Sequence, residues 1–463
     1  MSGIPARLEA VLAPGTPAHD LAALFGAAGN ELYLVGGSVR DALLDRSIAD
    51  LDFASDATPD EIEAIVGPWA SELYLAGKRF GTIGAIREGQ VHEITTFRSE
   101  VYQNDSRKPD VVFSEDIEED LSRRDFTVNA MAIRLPANDS EAPEMIDPTG
   151  GLVDLQAAVL RTPLDPEISF GDDPLRMLRL FRFVSTLGFA PDDAAVAAVR
   201  RMHDRLDIVS AERIQGEFDR LMVGDQVGPA LWGLVDTGLA DEFIPEIPAL
   251  ELEKDPIHHH KDVLAHTIAV VEKTSPTLRL RLAALFHDVG KPDTREFGPG
   301  GVSFHNHEVV GSRLAKRRMG ELRYPKAVID DVSELVFLHM RPHTYKMGWT
   351  DSAVRRYVRD AGPLLEDLNK LVRSDVTTRN LKLARQISRR IDELEDRIEE
   401  LRQQEELDAL RSPIDGNQVM RHLGLEAGPQ VGEIMDMLLE RRIEDGPYTE
   451  EEAFALLDEW KKE

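Results

Sequence analysis

The 463-residue sequence contains no cysteine, which excludes disulfide bonds, thiolate zinc sites and cysteine nucleophiles. Long apolar runs are lacking as well, since no segment approaches the roughly 20 residues that a membrane-spanning helix needs. The N-terminus also lacks the pattern of a signal peptide. We therefore expect a cytoplasmic protein that has no membrane partner.

Basic residues are few for a chain of this size: 54 Lys and Arg stand against 84 Asp and Glu, a formal net charge of −30. This balance argues against unspecific binding of nucleic acids. Overall charge governs solubility and long-range steering, however, whereas binding depends on local patches. A nucleic-acid enzyme of this composition must gather its cations on one surface, so we expect a basic cleft on an acidic body.

Strand-like segments are concentrated before residue 150, and the turn-rich segment DPTGGLVDL at 147–155 ends that part of the chain. Beyond it the chain reads mostly helical. The length is enough for about three domains with packed cores. We predict an α+β fold, in which an N-terminal head with a small mixed β-sheet and helices precedes a mostly all-α body. The predicted segments are 1–150, 151–250, 251–385 and 386–463.

The stretch LYLVGGSVRDALLDRSIADLD joins a strand-like apolar run to a helical segment through Gly36 and Gly37. Glycines at such a turn let the backbone approach a phosphate closely, and the helix N-terminus presents unpaired N–H groups to an anion. Arg40 can add a charge-assisted contact to the same phosphate. The plain alternative is a Gly-Gly turn followed by a solvated acidic turn.

Two carboxylates end that stretch, and a third follows later. Asp50 and Asp52 lie two residues apart, so in a strand they point to one face. Such a pair suits Mg²⁺, which prefers a few carboxylates together with phosphate oxygens. The segment RFGTIGAIREGQVHEITTFR reads as two strands around a turn at Glu88 and Gly89, and Glu93 lies in the second strand. On burial tendencies alone, Glu93 would be an exposed edge residue.

Two further polar sets lie in otherwise apolar helical surroundings. In RRDFTVNA these are Arg124, Asp125 and Asn129, for which a structural ion pair is the alternative. In FGDDPLRMLRLFRF, Asp173 is predicted as N-cap and the proline after it as the first helical residue. Arginines then follow at steps of three. Asp173 beside Arg176 offers an acceptor and a donor fork that can pair with a base edge, whereas the alternative is an exposed, salt-bridged helix face.

These motifs resemble the class II tRNA nucleotidyltransferases and bacterial poly(A) polymerases, whose signature carries GG, then VRD, then two metal-binding aspartates. The resemblance implies that Asp50 and Asp52 bind Mg²⁺ and that Glu93, shortly before TTFR, completes a carboxylate triad. It also implies a flexible loop over 99–119 that moves during nucleotide selection.

The same resemblance extends to nucleotide binding. RRDFTVNA is similar to the family motif that grips triphosphate and ribose, which places Arg124 on phosphate and the aspartate and asparagine near the sugar. The family selects CTP and then ATP with an acidic-acidic-x-x-Arg motif, which makes Asp173 and Arg176 the base readers. Here the usual Glu-Asp is replaced by Asp172-Asp173, a departure from the family pattern that implies a supporting part for the shorter Asp172. The residues with implied nucleotide contacts are Gly36, Gly37, Arg40, Arg124, Asp125, Asn129, Asp173, Arg176, Arg179 and Arg182. SAERIQGEFDRL resembles the next motif of the family. Its Glu212 and Arg213 read as scaffold for the helix that carries the base reader Arg176, which we call the template helix.

A second constellation follows in the C-terminal half, where imidazoles and carboxylates without cysteines suit a catalytic divalent-metal site. A lone histidine would more often be a satisfied core residue. The set resembles the HD phosphohydrolase superfamily over roughly 260–375, which implies an HD helical domain, a second divalent metal of unknown identity and a possible phosphohydrolase activity. The implied ligands are His266, His287, Asp288, His307, His339 and Asp375.

The C-terminal segment begins with a predicted long helix over 376–411. Its apolar residues form a seam of about two heptads, for which packing within the chain is favoured over a coiled-coil partner. The tail resembles the nucleotidyltransferase body that contacts tRNA. We therefore predict phosphate contacts from Arg421, His422, Arg441 and Arg442.

The resemblance implies a CCA-adding enzyme that takes CTP and ATP as substrates and the tRNA 3′ end as partner. Three alternatives stay open. The chain could add only A or synthesise poly(A), the HD half could be the main activity, or the protein could be an RNA-binding regulator with a decayed site. The sequence leaves the oligomeric state open.

Overall fold

A computed structural model describes residues 6–48, 50–101, 110–114, 116–138, 141–251, 263–298, 301–344, 349–376, 381–405 and 411–461. The chain divides into two compact units, Met1–Phe243 and Ile244–Glu463. Among the described residues, no helix is both long and apolar enough to cross a membrane.

The first unit combines short strands with helices. Its strands are β1 (Leu32–Val35), β2 (Asp52–Ser55), β3 (Glu72–Tyr74), β4 (Thr82–Arg87), β5 (Gln90–Thr96), β6 (Arg98–Val101), β7 (Asp110–Phe113), β8 (Ala132–Arg134), β9 (Glu144–Ile146), β10 (Val159–Leu160) and β11 (Ala190–Pro191). Its helices are α1 (Ala6–Val11), α2 (Pro17–Ala28), α3 (Gly37–Leu43), α4 (Pro59–Val66), α5 (Ile117–Ser122), α6 (Gly151–Ala157), α7 (Pro166–Asp172), α8 (Leu175–Leu187), α9 (Asp193–Met202), α10 (Ala211–Met222) and α11 (Val227–Asp236).

Seven strands form one mixed sheet in the order β3-β4-β5-β2-β1-β8-β9. Strand β1 is buried along its whole length, and β2 lies antiparallel to it. Strands β2 and β5 run parallel, which sets Asp52 level with Glu93. Glu88 and Gly89 both have positive φ, as the tight turn of the predicted hairpin β4–β5 requires. The predicted mixed sheet and mostly helical body are confirmed.

The structure differs from the sequence-based expectation at two places in the head. Strand β2 begins at Asp52, so Asp50 precedes the strand rather than sharing a strand face with Asp52. Strands β6 and β7 pair as a hairpin within the segment where a loop was predicted. Residues 102–109, the centre of that predicted loop, lie outside the described residues.

Helix α8 is the centre of the helical part of the first unit, and α10 and α11 pack on it. The close approach of α11 requires Gly233, because a Cβ there would lie 2.2 Å from the Phe181 ring. The predicted N-cap residue Asp173 instead closes α7, and α8 begins at Leu175. The Asp173 side chain still accepts a hydrogen bond from the Leu175 N–H at 3.2 Å, so the capping contact is present although the boundary is shifted.

The second unit is almost entirely helical. Its elements are α12 (Val263–Lys273), α13 (Leu278–Phe286), β12 (Arg295–Gly298), β13 (Gly301–Phe304), α14 (His307–Glu321), α15 (Lys326–Leu338), α16 (Asp351–Ala361), α17 (Leu365–Asp375), α18 (Leu381–Glu405), α19 (Gly416–Leu423), α20 (Pro429–Asp445) and α21 (Glu450–Trp460). Helices α12, α13, α15 and α17 pack together, and α14 packs on α15.

The seam of α18 packs within this chain. Of the five seam residues, Ile391, Leu394, Ile398 and Leu401 are buried, whereas Ile387 is half-buried. Helix α18 packs against α16 and α17. The expectation that these residues serve the core of the chain is therefore confirmed. Helices α19, α20 and α21 enclose a separate small apolar cluster.

One predicted phosphate contact of the tail is wrong. Arg442 is buried, with 7% of its surface exposed, because it lies on the face of α20 that also buries Leu438. Arg441 pairs with Asp445, and His422 pairs with Asp458 at 2.8 Å. Of these three, only Arg441 and His422 have side chains within reach of solvent, and the phosphate contacts of Arg421, His422 and Arg441 stay predictions.

Candidate active site

A cavity of about 820 Å³ in the first unit brings together the glycine turn, two of the predicted metal-binding carboxylates and the template helix. Six arginines and four aspartates are among its lining residues, an excess of cations in a strongly acidic chain. The lining includes all ten residues with implied nucleotide contacts. They are Gly36, Gly37, Arg40, Arg124, Asp125, Asn129, Asp173, Arg176, Arg179 and Arg182, together with Asp50 and Asp52.

A smaller cavity of about 330 Å³ adjoins the first one and contains the third predicted carboxylate, Glu93. Asp52, Arg124 and Arg176 line both cavities. Asp172 lines only the smaller cavity. Asp173 lines the larger cavity.

The turn between β1 and α3 requires glycine at its first position. Gly36 has a φ of 69°, and a Cβ there would lie 2.9 Å from Nη1 of Arg124. A side chain at Gly36 would therefore strain the backbone and displace a guanidinium from the cavity wall. A Cβ at Gly37 would lie 3.5 Å from Nη2 of Arg40, an ordinary contact distance.

The carboxylates Asp52 and Glu93 lie side by side on parallel strands. Burial raises the pKa of Asp52, the charges of Glu93 and Asp50 raise it further, and Arg124 opposes them. Oxygen donors crowded in this way fit a hard divalent cation, whose charge would relieve both the burial cost and the repulsion.

Ser38 connects the carboxylate segment to the glycine turn, a role that the sequence analysis missed. Its buried hydroxyl donates to the Asp50 carbonyl at 2.9 Å. The same oxygen accepts from the Asp52 N–H at 3.2 Å. A serine inside a glycine-rich turn gives no sequence signal for this contact, because its partners lie more than ten residues away.

Arg40 is held at the cavity wall by hydrogen bonds on two sides. It donates from Nε to Asp41 at 2.9 Å and from Nη1 to Asn129 Oδ1 at 2.5 Å. The Asn129 amide in turn donates to Asp125 Oδ1 at 2.9 Å. The residue expected on phosphate and the two expected near the sugar thus form one connected group.

Asp125 forms an ion pair with Arg179. A structural ion pair was the alternative to nucleotide binding for the motif RRDFTVNA. Arg179 donates from Nε to Asp125 Oδ2 at 2.9 Å. Burial raises the pKa of the Asp125 carboxyl, but the Arg179 charge and the Asn129 hydrogen bond outweigh it and hold the pKa well below its usual range. The pair nevertheless lines the cavity, so a structural and a nucleotide-binding role are compatible here.

The two predicted base readers are held separately. Arg176 donates from Nη1 to the buried Ser169 hydroxyl at 2.9 Å and from Nη2 to the Arg123 carbonyl at 2.6 Å. Asp173 accepts from Arg213 Nη2 at 2.9 Å. Arg213 therefore contacts the template segment directly, in keeping with its expected part as scaffold.

Glu217 and Phe183 are the main residues of this region that sequence reasoning missed. Glu217 is buried and lies on the same face of α10 as Ile214, Phe218 and Leu221. A carboxylate at an apolar position of an amphipathic helix was the signal that could have revealed it. Phe183 lines the cavity, and the centroid of its ring lies 3.9 Å from the Arg182 guanidinium carbon.

The second unit brings all six predicted HD residues into one cluster. The donor atoms form two sets of three, and within each set all atoms lie within 4.8 Å of one another. One set comprises His266, His287 and Asp375, and the other comprises Asp288, His307 and His339. His287 Nε2 lies 3.2 Å from Asp288 Oδ2, and His307 Nε2 lies 3.5 Å from Asp288 Oδ1, so Asp288 joins the sets.

Three of these imidazoles are oriented by backbone carbonyls. His287, His307 and His339 place Nδ1 within 2.6–2.8 Å of the carbonyl three residues earlier, which leaves Nε2 for the centre of the cluster. Burial lowers the pKa of His339 to about 3, so this imidazole is neutral at physiological pH. Burial lowers the pKa of His287 too, but the Asp288 and Asp375 carboxylates outweigh it and raise that pKa to about 10. A divalent cation would balance these carboxylates in place of the His287 proton, and imidazoles with a fixed second nitrogen beside carboxylates fit such a site.

Family comparisons divide the chain into three matched segments. Residues 32–161 match the poly A polymerase head domain. Residues 188–250 match the probable RNA and SrmB-binding site of polymerase A. Residues 257–396 match the HD domain.

Among curated proteins, the chain is similar over nearly its whole length to the A-adding tRNA nucleotidyltransferase of Deinococcus radiodurans. The two are 33% identical over 444 residues, which cover 93% of this chain and 95% of the relative. The CCA-adding enzyme of Anoxybacillus flavithermus is 41% identical over 220 residues, 47% of this chain and 53% of the relative. The chain thus spans about half the length of the CCA-adding relatives that it matches.

Solved structures share the fold at lower identity. The Bacillus stearothermophilus CCA-adding enzyme in complex with CTP superposes with a TM-score of 0.65 at 24% identity, covering 96% of this chain and 98% of the other. The Thermotoga maritima CCA-adding enzyme complexed with tRNA gives a TM-score of 0.58 at 18% identity, with coverage of 96% and 94%.

Proposed function

The chain belongs to the tRNA nucleotidyltransferase family, and from that premise we propose that it adds C, C and A to the tRNA 3′ end. CTP and ATP would be the substrates, and no nucleic-acid template would be used. One observation carries the proposal: a single cavity is lined both by the carboxylates Asp50 and Asp52 and by the acceptor–donor pair Asp173 and Arg176. A site that only bound triphosphates would not need the second pair.

The reaction joins the RNA 3′-oxygen to the α-phosphorus of the nucleotide, and pyrophosphate leaves as the bond between the α- and β-phosphates breaks. Gly36 lets the backbone approach the triphosphate, and Arg40 and Arg124 neutralise it. Asp50 and Asp52, with Glu93 beside them, would hold Mg²⁺. When bound, this ion supplies charge neutralisation at the α-phosphate and a lowered pKa of the attacking hydroxyl.

Base selection falls to Asp173 and Arg176. A carboxylate accepts from exocyclic amino groups, and a guanidinium donates to ring nitrogens and carbonyls. Cytosine and adenine both carry an amino group beside a ring nitrogen that accepts a hydrogen bond, whereas uracil presents a carbonyl and an N–H there. The pair therefore suits C and A over U, and Arg179 and Arg182 add contacts at the wall.

Addition of A alone is the second candidate, because the relative matched over 93% of this chain carries that activity in its name. Two transcripts distinguish the candidates: a tRNA that ends at the discriminator base and a tRNA that ends in CC. We expect CTP alone to add two residues to the first, ATP alone to add one residue to the second, and both nucleotides together to complete CCA on the first.

Each other result identifies a different enzyme. Extension of only the CC-ending transcript would establish A addition, and an A tail of unlimited length would establish poly(A) synthesis. Failure to extend either RNA with any nucleotide would refute nucleotidyl transfer altogether. Asp52→Ala serves as the inactive control.

A phosphohydrolase activity in the second unit is proposed from the six-residue cluster of the HD segment. The six side chains would hold one or two divalent ions, which would make a water molecule nucleophilic at neutral pH. Hydrolysis of 2′,3′-cyclic AMP and of a generic phosphodiester, assayed with Mg²⁺, Mn²⁺ or Ni²⁺ in turn, tests this. Activity that is equal in wild type and His287→Ala would refute the assignment. We also propose that the protein works in the cytoplasm, where tRNA and both nucleotides are available.

A further inference from the structure

Glu217 is a buried carboxylate to which the proposed reaction assigns no part. Only 5% of its surface is exposed, and it is absent from the residues that line the nucleotide cavity. Any effect of Glu217 on the nucleotide must therefore act through other side chains. Those side chains are three arginines, Arg179, Arg182 and Arg220, and all three line the cavity.

Glu217 balances two neighbouring cations on the template helix. Its Oε1 accepts from Arg179 Nη1 at 3.2 Å, and its Oε2 lies 3.1 Å from Arg182 Nε. Burial and the nearby charge of Arg179 lower the pKa of Arg182 to about 10. The two guanidiniums thus disfavour each other, and removal of their shared carboxylate would leave uncompensated buried charge.

The contacts of Glu217 continue as an unbroken chain of hydrogen bonds to Arg40, on helix α3 directly after the glycine turn. Arg179 donates to Asp125 at 2.9 Å, Asn129 donates to Asp125 at 2.9 Å, and Arg40 donates to Asn129 at 2.5 Å. This Arg40–Glu217 network connects the residue expected on phosphate with the helix that carries the base reader.

Helix α10 also holds the base reader at a second point. Arg213, one turn before Glu217, donates to Asp173 at 2.9 Å. Helix α10 therefore fixes the segment from Asp173 to Arg182 at both of its ends. A shift of α8 relative to α10 would move Asp173 and Arg176 with respect to a base whose phosphates are held elsewhere.

We infer that Glu217 is a positioning residue for nucleotide selection, which it performs by holding the base-reading helix in register with the phosphate-binding turn through Arg179 and Asp125. This assignment rests on the proposed nucleotidyl transfer. This positioning role differs from that of a merely structural ion pair. Loss of a structural pair would lower stability and would change kcat/KM equally for all four nucleotides.

The test compares Glu217→Gln and Glu217→Asp with wild type. Glutamine removes the charge, whereas aspartate keeps the charge but withdraws the carboxylate by one methylene and is the variant expected to fold. Glu144→Gln is the matched control, since Glu144 forms an exposed pair with Arg134 on the sheet edge. The measurements are kcat/KM for CTP, ATP, UTP and GTP, inhibition by inorganic tripolyphosphate, and Tm.

We expect the preference for CTP and ATP over UTP and GTP to fall about tenfold in both variants, the size of one lost charge-assisted hydrogen bond. Inhibition by tripolyphosphate should change little, because Arg40 and Arg124 remain. The Glu144→Gln control should change neither the nucleotide preference nor the inhibition by tripolyphosphate. A lower Tm with an unaltered nucleotide preference in both variants would show a purely structural role and overturn the inference.

A double-mutant cycle tests the connection itself. If the Arg40–Glu217 network acts as one unit, Glu217→Gln combined with Asn129→Ser should cost less in discrimination than the product of the two single losses. Losses that multiply would overturn the coupling. Wild-type protein that adds no nucleotide at all would overturn the proposed function, whereas wild-type addition of C and A with unchanged selectivity in the variants would overturn only this assignment.

Discussion

Asp52 shows at the scale of a single residue how catalysis opposes stability. Burial, and then the charges of Glu93 and Asp50, raise the pKa of this carboxyl. A raised pKa in the folded state means that the charged form costs folding free energy at neutral pH. That cost disappears as the pH falls below the ordinary pKa of an aspartate, at about pH 4. The protein tolerates a destabilising charge where the metal is expected.

Asp52→Asn separates the two effects. We expect nucleotide addition to fall by more than about 100-fold, because the loss of an expected metal ligand costs more than the loss of a group that only orients such a ligand. In metal-free buffer at neutral pH the Tm should rise, since the neutral amide avoids the burial cost. The Tm difference from wild type should shrink toward about pH 4. Thermal unfolding across pH, with an extension assay, measures both. An equal or lower Tm at neutral pH would contradict the argument.

Arg176 tests the geometry of base reading. Its guanidinium is fixed by Ser169 and by the Arg123 carbonyl, so its fork has one orientation. Arg176→Lys keeps the charge but loses the planar fork. We expect kcat/KM for CTP and ATP to fall about tenfold or more, with a smaller loss for UTP. Competition assays with mixed nucleotides measure this. A uniform loss for all nucleotides would instead assign Arg176 to phosphate binding.

Residues were predictable from the sequence where a motif has a fixed local spacing. Gly36, Asp52 and Asp173 follow from such spacing, and the structure brings them to one cavity. Ser38 and Glu217 were missed because their partners are distant in sequence, and a single polar residue among apolar ones does not identify its partner. The burial of Arg442 was missed for a related reason: arginines near a C-terminus read as surface residues unless the packing face of their helix is known.

At the scale of elements, the position of α14 depends on a close backbone approach that requires glycine at position 290. Gly290 follows the His287-Asp288 pair, and a Cβ there would lie 2.2 Å from the His307 carbonyl oxygen and 2.6 Å from the Gly311 nitrogen. Both atoms belong to the backbone and cannot rotate away. The glycine therefore lets α14 bring His307 next to the turn that carries His287 and Asp288.

Gly290→Ala should destabilise the second unit by about 1–3 kcal/mol, the usual cost of overpacking, and weaken metal binding. Gly320→Ala is the matched control, because Gly320 lies on α14 and a Cβ there meets nothing within 4 Å. That control should be stabilising by about 0.5–1 kcal/mol. Denaturant unfolding with and without added metal measures both. Equal stability of the two variants would refute the packing argument.

Elements were predicted well where turn chemistry was explicit and less well where it was not. The turn predicted at Glu88 and Gly89 joins β4 to β5, and both residues have positive φ. The paired strands β6 and β7 were taken for loop, because the segment 99–119 as a whole is polar and rich in Asp and Ser. The two segments are strands because they pair with each other, and the propensities of single residues do not encode such pairing.

For the whole molecule, the formal charge of −30 contrasts with a nucleotide cavity whose charged lining has more arginines than aspartates. The acidic surplus therefore lies elsewhere on the chain. This arrangement agrees with the expectation that cations are gathered where a polyanion is to bind. The expected reactions also separate by unit: the nucleotidyl-transfer residues belong to Met1–Phe243, and the six HD residues belong to Ile244–Glu463.

That separation predicts two independent activities. Asp50→Ala should reduce nucleotide addition by more than about 100-fold and leave phosphodiester hydrolysis unchanged, because all six HD donors remain. His287→Ala should abolish hydrolysis and the rise in Tm on adding divalent metal, while CCA addition continues at the wild-type rate. Each variant thus serves as the folded control for the other. If His287→Ala slowed nucleotide addition with its Tm otherwise unchanged, the two sites would be coupled, and the HD metal would have to be counted among the determinants of nucleotidyl transfer.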